Sequence, residues 1–294
     1  MKKILLSLSM IAVVGVIVLG ATGAFFSDTE TSTGNTFTAG AIDLTVDSEQ
    51  HYNGNICVEN QNNAEGQPDY VWSGGAPYPL AGTACGGTWG QDEGLNIVNE
   101  KFFDFGDIKP GDWGENTISL HVVNNDAYAC VDITNMTDLD NSCTEPEEGS
   151  SDACTVSTPE GTTPGAGELA EGTNFFAWAD DGDNVFEGLN NPGFPEFKLF
   201  SNTVGPASDV LNGTTYTLAD GGTGTPLPGG STQYIGLGWC AGTLTVTDLN
   251  TGGWTCNGAS MGNETQTDSF SADVSFRVEQ ARNNSAFRCD GSHL

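Results

Sequence analysis

Positive charge is scarce in this 294-residue sequence: eight Lys and Arg stand against 39 Asp and Glu, a net charge of −31. Two of the eight, Lys2 and Lys3, fall in a segment expected to be removed. A surface this anionic repels phosphate backbones and anionic lipid, which excludes nucleic acid as a partner class. Histidine is scarcer still, at His51, His121 and His293, positions too far apart to make a local metal or catalytic set. There is no H-E-x-x-H zinc motif, G-x-x-x-x-G-K-[ST] loop or G-x-G-x-x-G turn, and no enzymatic activity is expected on these grounds. Cysteines spaced C-x-x-C are missing too, which excludes the usual zinc or thioredoxin-type arrangement. Long Ala/Glu/Lys/Leu runs do not occur beyond the amino-terminal segment, so extended helices are not expected.

What is present favours β structure in an exported chain. Residues 1–24 have a positive start at Lys2 and Lys3, an apolar run from Ile4 to Gly20, and small residues at the end. This is the pattern of a secretory signal cleaved after Gly23 or Ala24. The run is also near spanning length, and as a retained anchor it would still leave the remainder outside. No second run of that length exists, so no membrane association is expected after cleavage. Eight cysteines, at 57, 85, 130, 143, 154, 240, 256 and 289, read as disulfides in that compartment. Short spacing suggests Cys57–Cys85 and Cys143–Cys154 as loop staples. The partners of Cys130, Cys240, Cys256 and Cys289 stay open.

Six stretches alternate apolar and polar residues with period two. They are Ala41–Val46, Thr117–Val123, Ala129–Ile133, Tyr234–Trp239, Thr243–Leu249 and Ser271–Val278. The turn Asn124-Asn125-Asp126 between the second and third suggests a hairpin. Irregular regions of about 49–100, 138–172 and 201–232 separate the strands and read as insertions, some stapled by disulfides. The expectation is an all-β chain: a single antiparallel, jelly-roll-like β-sandwich over 41–294, preceded by an extended segment at 25–40.

One acidic constellation stands out. Asp180, Asp181, Asp183 and Asn184 surround Gly182, with Glu187 beyond. Oxygen ligands at alternate positions around a Gly turn can converge on Ca²⁺, and no other cofactor is expected. The cluster follows Phe175-Phe176-Ala177-Trp178, which places it at a strand end. Phe102, Phe103, Phe105, Trp113, Trp178, Trp239 and Trp254 are expected in the core before any sugar-binding face. Asn135, Asn212, Asn263 and Asn283 open N-x-[ST] sequons, candidates for glycosylation in an exported chain.

Three longer stretches carry a family resemblance. The segment GAFFSDTETSTGNTFTAGAIDLTV, the middle FGDIKPGDWGENTISLHVVNNDAYACVDI and the end TQTDSFSADVSFRVEQARNN resemble secreted TasA/camelysin proteins, with DGDN and YIGLGWC as weaker matches. The resemblance implies a jelly-roll domain, a secreted or cell-surface location, and self-association into matrix fibres. It implies further that Phe25–Thr38, with Phe25, Phe26 and Phe37, is a donor strand completing the sheet of the next subunit. Contacts with other matrix or surface proteins are compatible with it. A monomeric adhesin and a camelysin-like metallopeptidase are the alternatives on the same scaffold.

Overall fold

The computed structural model describes residues 27–32, 36–38, 43–62, 67–91, 100–148, 163–164, 167–199 and 204–292. The predicted leader with Gly23 and Ala24, and also Phe25, Phe26, Cys154 and His293, lie outside them.

Two antiparallel sheets face one another. The first runs in the order β11 (Thr215–Ala219), β7 (Ala127–Asp140), β15 (Ser269–Gln280), β1 (Ser27–Ser32) and β2 (Thr36–Thr38), with β8 (Thr163–Pro164) on the far end of β7. The second runs β10 (Val204–Pro206), β9 (Thr173–Asp180), β12 (Ser231–Ala241), β6 (Trp113–Val123), β3 (Asp43–Tyr52), β4 (Asn55–Glu59) and β5 (Tyr70–Trp72). A separate hairpin, β13 (Thr243–Val246) and β14 (Trp254–Asn257), lies near the second sheet. Alternation creates the core: Leu44 and Val46, Ile118, Leu120 and Val122, and Ile235 meet Ala129, Val131, Ile133, Phe276 and Val278. Each buried Val, Leu, Ile or Phe among them contributes about 1.5–3 kcal/mol on leaving water.

The all-β antiparallel sandwich expected from the sequence is what the chain forms. The expected hairpin at 124–126 is not. β6 pairs with β12 and β3, whereas β7 pairs with β15 and β11. The turn, with Asn124 at φ 75°, therefore crosses between the sheets. Both strands point their apolar residues at one core, and a period of two looks the same whether neighbours lie side by side or face to face. The three supposed insertions also hold strands: β4 and β5 extend the second sheet, β8 caps β7, and β10 and β11 are edge strands.

Both outer faces are partly covered, so parts of the structure have four layers. On the first sheet the carboxy-terminal segment lies over β7: Phe287 stacks on Tyr128 with ring centroids 5.9 Å apart, and Cys289 bonds Cys130. On the second sheet, Phe176, Trp178, Phe186, Cys240 and Leu244 form a small outer core, tied by Cys240–Cys256. The predicted Cys57–Cys85 staple is present. Cys143 is disulfide-bonded, and the proposed pairing with Cys154 falls outside the described residues.

Cys130–Cys289 links positions 159 residues apart, and a link that long removes much entropy from the unfolded chain. The double variant Cys130→Ala/Cys289→Ala is expected to lose about 2–5 kcal/mol. Guanidinium unfolding without reductant checks this; an unchanged midpoint would show that the tail adds nothing to the sandwich.

Candidate metal centre

The expected strand-end position of the acidic cluster is where the chain puts it. Asp180 is the last residue of β9 and has no exposed surface. Its neighbours across the sheet leave space for it. Gly236 on β12 opposes Trp178, and a Cβ there would lie 2.0 Å from the Trp178 ring. Only glycine lets the indole lie flat over the strand. Trp178 Nε1 then donates to Asp180 Oδ1 at 3.2 Å. The Thr117 hydroxyl on β6 lies 2.7 Å from Asp180 Oδ2, and the Asn184 backbone N–H donates to the same oxygen at 3.3 Å. The chain reverses sharply after Asp180, with Gly182 at φ 107° and Asn184 at φ 62°. The Asp183 carboxylate accepts from Val185 N–H at 3.0 Å, a side-chain-closed turn.

The residue that completes the group is Glu196, which the sequence reading did not single out. It is fully buried and accepts backbone N–H bonds from Asp181 at 3.3 Å and Glu187 at 2.6 Å. Asp180, Asp181, Asp183 and Glu196 each place an oxygen within 4.8 Å of the others. Of the predicted ligands, Asn184 is buried beside Asp180 through the shared Thr117 hydroxyl. Glu187 lies outside the group, and its carboxylate accepts from Asn191. Glu196 was hidden because sequence spacing does not show where a sixteen-residue loop returns to its strand.

Burial sets the electrostatics. It pushes Glu196 up to about 7 and raises Asp180, with repulsion from the neighbouring carboxylates adding to both. Glu115, on the same face of β6, is also pushed up to about 7 by burial, although it accepts from Trp254 Nε1 at 3.0 Å. A second group, Asp140, Glu147 and Asp268, has oxygens equally close together. There the Asp268 carboxylate accepts from Glu168 and Leu169 N–H at 2.6 and 3.0 Å, and burial raises it to about 6. Its members come from distant parts of the chain, brought together by the pairing of Leu139 with Ser269. Among the described residues, neither group contains a histidine.

The remaining sequence candidates are placed as follows. His121 contacts Asp47 at 2.6 Å and Thr232 at 2.9 Å, and His51 contacts Glu49 at 3.1 Å. Phe102, Trp178 and Trp239 are core residues, while Phe103, Phe105, Trp113 and Trp254 are half-buried. Asn135, Asn212, Asn263 and Asn283 are exposed. Residues 258–262 also spell G-x-S-x-G. Ser260 ends a 3₁₀ turn and bonds Thr243 at 3.0 Å, without the strand-to-helix elbow that gives the motif its chemistry.

Glu115 generates a pH prediction. A carboxyl that is harder to ionise when folded binds its proton more tightly there, so stability falls as pH rises from about 4.5 to about 7. Glu115→Gln keeps an acceptor for Trp254 and removes the charge. It is expected to gain about 1–3 kcal/mol at pH 8 in chelator and nothing at pH 4. Thermal unfolding at the two pH values checks it; equal effects at both would contradict it.

No curated protein and no solved structure gives a significant match to the chain. Residues 1–60 match the family model described as camelysin metallo-endopeptidase, so over its amino-terminal sixty residues this chain is similar to the TasA/camelysin family, as its sequence motifs indicate.

Proposed function

We propose that this chain is a secreted matrix or fibre subunit whose amino-terminal hairpin is an exchangeable strand. The observation that carries the reading is the position of β1. It pairs antiparallel with β15 from Ser27 opposite Glu279 to Ser32 opposite Val274, and β2 folds back on it to form the sheet edge. A segment of this kind adds main-chain hydrogen bonds to β15 whether it belongs to the same chain or to a neighbour. The two arrangements make equivalent ladders, so the choice depends on protein concentration. Donation from one copy to the next is head-to-tail, does not close, and grows a filament. The camelysin-family similarity covers this same stretch and supports the secreted location.

Negative-stain electron microscopy of protein starting at Phe25, beside a version lacking residues 25–40, tests the reading. Filaments are expected from the first and none from the second. Monomers from the longer form at high concentration would contradict self-assembly and favour a monomeric adhesin.

A further inference from the structure

We propose that Asp180, Asp181, Asp183 and Glu196, with Asn184, hold a Ca²⁺ ion that clamps the 181–196 loop onto the outer face of the second sheet. Four carboxylate oxygens lie within 4.8 Å of one another, and two of the four residues have no exposed surface. Like charges this close repel one another, most of all at the two buried members, and a cation among them relieves that repulsion. Among the described residues no Lys or Arg makes an ion pair with any of the four. The ion pairs that Lys and Arg make among the described residues are with Asp104, Asp107 and Asp132. The charges acting on Asp180 and Glu196 are other carboxylates.

Asn184 is an independent indication. Its residue is 1% exposed, and its Nδ2 is buried with no partner. Its Oδ1 and Asp180 Oδ2 both face the Thr117 hydroxyl, at 3.1 and 2.7 Å, but a hydroxyl has one proton to give. Turning the amide over resolves the conflict, because Asn184 then donates to Thr117 and Thr117 donates to Asp180. The amide oxygen then takes the buried place that has no partner, on a side chain joined to Asp180 through the two hydrogen bonds of the Thr117 hydroxyl. A neutral oxygen beside several anionic ones is the ligand mixture that Ca²⁺ uses. The all-oxygen set, without nitrogen or sulfur, disfavours zinc or copper. An irregular loop suits Ca²⁺ better than Mg²⁺, which demands strict octahedral geometry.

The ligands come from the strand end, the turn after it and the returning end of the loop. Between them lies Phe186, 2% exposed, whose ring packs 5.0 Å from Phe176 and 5.8 Å from Trp178. An ion at this point would therefore hold down the lid of the outer core.

The test is calorimetric titration of CaCl2 into the chelator-stripped full mature chain at high NaCl, which suppresses loose binding to the anionic surface. Thermal unfolding is followed in parallel. One saturable site is expected, with Kd of about 10⁻³ M or tighter, and at tenfold excess over Kd a rise in Tm of about 3–6 °C. Asp181→Asn/Asp183→Asn changes two exposed side chains and should fold; in chelator its Tm should match or exceed the parent's. Its calcium affinity should fall by at least tenfold, and matched MgCl2 should give little heat with the parent. The proposal is overturned if the parent shows no saturable heat, if the variant binds equally well, or if magnesium reproduces the effect.

Discussion

The pairing of β15 along both of its edges is the interaction on which the structure depends. One edge carries β7 over nearly its whole length, and the other carries β1. Phe276 and Val278 point from β15 into the core between the sheets. Without β1, the strand that anchors that core would have a bare edge, and bare edges attract other strands. The chain covers its own edge with its first described residues. That edge is made by β1 and β2, a hairpin that pairs with β15 through the main-chain register of β1.

The covers on the outer faces follow from the same economy of apolar residues. Hydrophobic residues make up 37% of the chain, and glycine takes positions where aromatic rings must approach the backbone. Gly236 under Trp178 and Gly238 under Trp254 are the two clearest. Those rings cover the second sheet and leave little water beside Asp180 and Glu115, which is why these carboxyls resist ionisation. Fold and site electrostatics thus share one cause: bulky rings laid over glycine in an acidic sheet.

Much of this was legible in the sequence, for stated physical reasons. Period-two alternation located the cores of β3, β6, β7, β12 and β15, because each has one face against the same interior. It failed where pairing was the question, at the 124–126 turn, since alternation reports which face is buried and not which strand is adjacent. Short edge strands such as β5 and β10 carry too few residues to alternate, and their sequences look like loop. In the acidic site, local spacing placed Asp180, Asp181, Asp183 and Asn184 around Gly182. Glu196 and the Asp140–Glu147–Asp268 group depend on chain returns that no local pattern records.

Strand exchange at β15 can be tested by a disulfide trap. Thr31 and Ser275 are opposed across β1 and β15, so Thr31→Cys/Ser275→Cys should form a bond wherever that ladder forms. Under assembly conditions, oxidation followed by non-reducing denaturing electrophoresis is predicted to give a ladder of covalent multimers, while dilute protein gives crosslinked monomer. Crosslinked monomer alone from assembled material would contradict the account.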